Sequence, residues 1–241
     1  MWLVLCDPAD DAALWAGAGL RERGLAPLDV IAPRTLVSSA RSVHRLDSGR
    51  ACFEIALPNE RVLRSDDIDG VLNRLVHVPL EDLALASQAD LSYAARELSA
   101  LVLSWLECVA PVMVNRPDPR GTAGAWRTAA EWTVLAATAG LPVGPLPLTS
   151  RRTSEPATPP TTSAVVVGEH VFCDEPVRHL APACGTLARL AGTDLLGVDL
   201  GADDRHPRFA GATPLPDLRR GGSPLIDRLY RHLLHLPARR T

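Results

Sequence analysis

Apolar and polar positions fall into short blocks along this chain, and the spacing within each block predicts its element. Residues 2–6 (WLVLC) are a continuous apolar run, followed at once by Asp7, Pro8 and Asp10. Such a run predicts a strand buried on both faces, as in a parallel sheet. Residues 10–23 (DDAALWAGAGLRER) predict a helix, with Asp10 or Asp11 as N-cap and Gly24 as its stop. Residues 28–31 predict a second strand, closed by Pro33. Strand, helix and strand in the first 31 residues make a βαβ unit.

Two short strands are expected at 52–57 and 61–64, joined by a Pro58-Asn59-Glu60 turn. A further strand with its connection is expected at 68–74. Residues 79–108 predict a long amphipathic helix, because Leu83, Ala86, Leu91, Ala94, Leu98 and Leu101 recur at close to helical spacing. A buried strand at 111–115 follows, then a helix at 123–139 with Gly140 as C-cap. The pattern breaks at 149–163 (TSRRTSEPATPPTTS), which has almost no large apolar residue and predicts a linker or exposed loop. Beyond it, 164–167 and 171–173 predict a hairpin about Gly168-Glu169-His170. A helix at 179–191 interrupted near Pro182, a buried strand at 195–200 and an amphipathic helix at 223–236 complete the reading. The fold class is α/β. Residues 1–117 form an N-terminal βαβ domain with a central parallel sheet, and 118–148 a helix and turn. Residues 149–163 are the linker, and 164–241 an α+β part.

Composition then bounds this picture. The 46% hydrophobic content in 241 residues is ample for a packed core. The net charge of -3 gives no basis for nucleic-acid or membrane-surface binding. All 25 basic residues are arginine, so chemistry that needs an ε-amino group is excluded. The five cysteines (Cys6, Cys52, Cys108, Cys173, Cys184) show no CxxC and no zinc-ligand spacing. They read as buried free thiols of a reducing cytoplasm. With no signal-peptide pattern and no apolar run of about 18 residues, a soluble cytoplasmic protein is expected.

Candidate clusters read more simply as structure. His170 with Cys173 and Asp174 fits a polar hairpin turn, and the cluster Asp199, Asp203, Asp204 and His206 after a strand fits a solvated loop. Arg231, His232, His235, Arg239 and Arg240 complement a helix C-terminus. No GxSxG, HExxH or GxGxxG is present.

Several stretches, taken in order, resemble the ATP-grasp superfamily, in particular the branch that makes peptide bonds on ribosomal peptides and the related glutamate ligases. They are Ile68-Asp-Gly-Val-Leu-Asn-Arg74, the helix holding Ala-Ala-Arg-Glu97, and Pro111-Val-Met-Val-Asn115-Arg116-Pro117. The helix ending Ala139-Gly-Leu-Pro-Val143, the strand with Gly197-Val-Asp199, and Phe209-Ala-Gly211-Ala-Thr213-Pro-Leu-Pro216 complete the series. The resemblance implies a pre-ATP-grasp-like N-terminal domain and a reduced ATP-grasp-like C-terminal part.

Such enzymes use two lysines and two magnesium ions to hold ATP and stabilise the moving phosphoryl group. The resemblance puts the first lysine near Ala129 and the second in a small β-rich lid between Thr149 and Ala164, where this chain has only its short polar stretch. It puts the family's metal-holding Asp, Glu and Asn at Asp199, Gly211 and Thr213. Asn115, Arg116, Asp199 and Thr213 are then a remnant cleft, with no catalytic residue, no metal and no cofactor. The expected function is a non-catalytic, truncated ATP-grasp-like protein that binds a peptide or an active ATP-grasp ligase, as a homo- or hetero-dimer. The alternative is a subunit of a heteromeric carboxylate-amine ligase whose lid and lysines come from another chain.

Overall fold

The computed structural model describes residues 1–39, 41–47, 50–79, 87–145, 162–203 and 206–237. The chain divides into two compact units, Met1–Ala125 with Leu229–Thr241, and Trp126–Arg228.

The first unit is built on a parallel sheet. The apolar run becomes β1 (Trp2–Leu5), flanked by β2 (Leu28–Ile31) and β6 (Gly70–Asn73), with β7 (Met113–Val114) outside β6. Helix α1 (Asp11–Glu22) carries the chain from β1 to β2. The Asp10 carboxylate caps it by accepting from the amide of Ala13 at 2.9 Å. Its buried face is mostly small (Ala12, Ala13, Ala16, Gly17, Leu20), so the helix packs closely on the sheet. Gly70 must be glycine: a Cβ there would stand 2.3 Å from the Trp2 ring.

Short helix α2 (Pro33–Val37) follows β2. The sequence reads Pro33 only as a stop, but proline suits the first turn of a helix, where its missing N–H costs nothing. A second sheet of three antiparallel strands comprises β3 (Arg41–Asp47), β4 (Arg50–Ala56) and β5 (Val62–Arg64). The expected hairpin joins β4 and β5, whereas β3 escapes sequence reading because this edge strand, RSVHRLD, is mostly polar and exposed. Phe53 of β4 meets Trp105 of α3 (Gln88–Val109) with ring centroids 5.4 Å apart. Leu5, Ile55, Val71, Leu106 and Met113 complete that core.

Helix α3 starts at Gln88 rather than 79, because the Ser87 hydroxyl accepts from the amide of Asp90 and caps it. Residues 80–86, including Leu83 and Ala86, lie outside the described residues. All buried residues of α3 fall between Val102 and Val109. The strand expected at 111–115 shortens to two residues, since 110–112 form a 3₁₀ turn containing Pro111.

The second unit is an antiparallel sheet in the order β11-β10-β8-β9: β8 (Thr162–Val167), β9 (His170–Phe172), β10 (Leu195–Asp203) and β11 (His206–Thr213). Gly168, at φ 59°, makes the expected β8–β9 turn. Helices α4 (Ala129–Thr138) and α5 (Ala181–Ala191) bury Trp132, Ala136, Leu187 and Ala188 against Val166, Leu196, Val198 and Leu200 of one sheet face. Helix α4 begins six residues later than predicted: Thr128 and Glu131 form a capping box that fixes its start. Pro182 does not interrupt a helix but stands in the first turn of α5. Helix α6 (Gly222–Leu234) is last.

Strand β11 has weak apolar patterning (HPRFAGAT), and the periodicity alone misses it. The polar stretch at 149–163 is shorter than read: Thr162 and Ser163 already belong to β8, while 146–161 lie outside the described residues. Among the described residues no helix is long and apolar enough to cross a membrane.

Candidate functional site

Strands β8, β10 and β11 bring three residues into one row. Asp199 of β10 pairs with Ser163 on one side and Gly211 on the other. Two residues along, Gly197 pairs with Val165 and Thr213, so Thr213 lies one step up the same face. The register of β10 with β11 shifts immediately after Asp199, a bulge beyond which the ladder resumes at Leu200 and Phe209. The Ser163 hydroxyl donates to Asp199 at 2.7 Å, fixing the carboxylate. The Thr213 hydroxyl is engaged locally, accepting from the amide of Leu215 at 3.1 Å.

This donor set does not fit a magnesium ion. That ion demands near-octahedral oxygen coordination and is held mainly by carboxylates. The row offers one carboxylate, one hydroxyl already spent on it, and a glycine. Among the described residues no three His, Cys, Asp or Glu side chains gather as a metal site. The solvated loop expected after β10 is instead the end of a hairpin: Asp203 is the last residue of β10 and pairs with His206 of β11, while Asp204 lies outside the described residues.

Beside β11 lies a cavity of about 460 Å³, lined by Arg127, Ala129 and Trp132 at the start of α4, by Gly144, and by Ala210, Gly211 and Ala212. Among the described residues Arg127 is the one charged residue that lines it. Its guanidinium lies 5.1 Å over the Trp132 ring and donates to the carbonyl of Ala191 at 2.8 Å. Ala129, the place of the expected first lysine, thus faces a cavity with an arginine two residues upstream. Asp199, Ser163 and Thr213 do not line this cavity, which meets their row only at Gly211.

The other two predicted site residues belong to the first unit. Asn115 is 1% exposed, and its carbonyl accepts from Asn73 Nδ2 at 3.0 Å. Arg116 is exposed. Sequence reasoning passed over Asn73, which is fully buried. Its Nδ2 also faces the carbonyl of Thr122 at 2.7 Å and Met113 Sδ at 3.2 Å, and its Oδ1 accepts from the amide of Leu75. Beside it Arg74, 4% exposed, makes a two-pronged contact with Asp10 through Nε (2.7 Å) and Nη2 (3.2 Å). The signal in the sequence was two polar residues, Asn-Arg, ending an apolar strand. Their distant partners, 40 to 64 residues away, carry no sequence signal.

Three of the cysteines, Cys6, Cys173 and Cys184, are unsuited to nucleophilic chemistry. Burial pushes the Cys6 thiol up to about 11, with the Asp10 charge adding to it, and the Cys184 thiol up to about 12. Cys173 is raised in the same way. All five are free, as expected.

No protein-family model and no curated protein sequence matches this chain. Solved structures do. The macrocyclase MdnC bound with precursor peptide MdnA from Microcystis aeruginosa MRC aligns over 97% of this chain and 99% of its own, at TM-score 0.67 and 11% identity. The RiPP-associated ATP-grasp ligase of Chryseobacterium gregarium, in complex with ADP and a leader and core peptide, aligns over 99% and 97%, at TM-score 0.67 and 10% identity. The ATP-grasp ligase PsnB, complexed with minimal precursor, Mg and ADP, aligns over 96% and 98%, at TM-score 0.65 and 16% identity. The chain has an ATP-grasp-like fold.

Proposed function

We propose that this chain, whose fold is that of peptide-modifying ATP-grasp ligases, is a non-catalytic relative that binds a peptide or an active ligase. The observation that carries the reading is the row Ser163–Asp199–Gly211. A single carboxylate, one of its oxygens accepting from a hydroxyl at 2.7 Å, stands where divalent-cation chemistry needs several oxygens. The absence of lysine from the whole chain supports it, since a phosphoryl transfer site depends on placed cations. Truncation at the lid belongs to the same proposal and concerns residues outside those described.

A partner surface is at hand. The first 14 residues of α3 contain no buried side chain, yet carry Leu91, Ala94, Leu98 and Leu101 along one stripe. Tyr93 is 67% and Leu101 41% exposed. Partly exposed apolar stripes of this kind mark interaction sites. The test is affinity capture with the full chain against precursor peptides and ligases from the same source. Selective capture that is lost in Tyr93→Ser/Leu101→Gln supports the partner reading. Capture of neither sinks it. In the alternative, a heteromeric ligase, Asp199 is kept poised by Ser163 for use in an assembled site. Photo-crosslinking of an azido-ATP to this chain within the complex separates the two readings, since only the alternative predicts labelling.

A further inference from the structure

In the first unit, edge strand β3 and helix α3 bring together three polar side chains that the site above does not use. Ser104 and Cys108 stand four residues apart, on one stripe of α3. His44 reaches them from β3, where it pairs with Phe53 of β4. The Phe53–Trp105 ring contact next to this pairing holds the sheet against the helix. The imidazole spans the stripe: its Nδ1 lies 3.4 Å from the Ser104 hydroxyl and its Nε2 3.3 Å from the Cys108 sulfur. Cys108 is 5% exposed, while His44 and Ser104 are half-buried.

A thiol reacts as its thiolate, so a reactive cysteine needs a group that takes its proton. A nucleophile, a base in contact with it, and a third group that orients the base form the arrangement that activates a thiol. With the ring proton on Nδ1, His44 donates to the Ser104 hydroxyl and turns the lone pair of Nε2 toward Cys108. The thiol also donates to the Ser104 carbonyl at 3.5 Å, an amide oxygen that cannot take the proton; His44 can. Cys6 has the opposite surroundings, since burial and the Asp10 charge both oppose its thiolate.

We infer that Cys108, with His44 as its base, is a modification site for a small two-electron oxidant of the peroxide class. The Cys108 proton passes to His44 Nε2, and the thiolate sulfur attacks one peroxide oxygen. The S–O bond forms as the O–O bond breaks, and the departing hydroxide takes the proton back from His44 and leaves as water. Sulfur is oxidised by two electrons to the sulfenic acid, and the peroxide is reduced. The contact with His44, rather than exposure, sets which cysteine reacts first.

The test treats the reduced full chain with limiting hydrogen peroxide in the presence of dimedone, which traps sulfenic acids, and follows each cysteine by peptide mass spectrometry. Cys52 and Cys173 are both more exposed than Cys108 and serve as internal references. Cys108 is expected to be labelled at least about tenfold faster than either, the low end of what a positioned base contributes. Labelling in the order of exposure, with Cys108 behind Cys52 and Cys173, overturns the site. His44→Gln separates a base from a structural pin by the sign of its effect. Loss of a base slows Cys108 labelling at least about tenfold. Loss of a pin loosens β3 from α3, exposes the sulfur and speeds labelling, so an unchanged or faster rate overturns the inference. Should His44→Gln fail to fold, the order of labelling in the parent chain decides alone.

Discussion

Arg74 and Asp10 show how individual residues are committed to structure in the first unit. The pair ties the end of β6 to the N-cap of α1, and Arg74 is 4% exposed. Arg74→Met removes the buried cation and its two-pronged contact and leaves the Asp10 carboxylate, 19% exposed, with its cap to α1 alone. Arg74→Met is therefore expected to cost about 3 kcal/mol in urea unfolding. A loss below about 0.5 kcal/mol, typical of surface substitutions, would show that water or another group takes the charge over. Cys6, packed beside this pair, gives a pH signature. Its thiol is raised from the ordinary 9.0 to about 11, so the neutral form favours the folded state fully below pH 9. That advantage is lost as pH climbs from 9 toward 11, and it is worth about 3 kcal/mol at most. Cys6→Ala is expected to unfold with a visibly shallower loss of stability across that window than the parent chain. An unchanged slope would mean that other groups govern alkaline unfolding.

Elements explain what the sequence made legible and what it did not. β1, α1, β2, β6 and β10 were readable because burial on both faces or on one stripe leaves a strong apolar pattern. β3 and β11 were not. Each is an edge strand, and an edge exposes enough of its length that polar and small residues are tolerated. Helix starts were misjudged by six residues at α4 because the Thr128–Glu131 capping box, not apolar periodicity, sets them. For the site, Asp199 and Thr213 could be placed by resemblance, and the strand register puts them on one face. The Arg127–Trp132 cavity could not, since it depends on how α4 meets β11. The row also yields a prediction. Gly211→Glu sets a second carboxylate directly opposite Asp199, in space where an added Cβ meets nothing. Without metal, like charges opposed across a strand pair are expected to destabilise the unit by about 0.5 kcal/mol. Millimolar magnesium is expected to reverse that loss in a thermal melt, while the parent chain shows no response. A parent chain stabilised by magnesium would contradict the reading of the row.

At the scale of the whole molecule, a fold aligned nearly end to end with peptide-modifying ligases is combined with a sequence that contains no lysine. Fold alone does not fix function, and the site must decide. Here the site residues divide between the units: Asn115 and Arg116 in the first, Asp199 and Thr213 in the second, with Asn115 buried as a strut. The account therefore stands or falls on nucleotide. Calorimetric titration of the purified chain with ATP and magnesium is the most direct measurement. The account predicts no saturable heat up to about millimolar nucleotide, an affinity no stronger than about 4 kcal/mol. Binding at about tens of micromolar or tighter, abolished by Asp199→Asn or Arg127→Gln, would contradict it, because arginines would then be holding a phosphate chain in a working site.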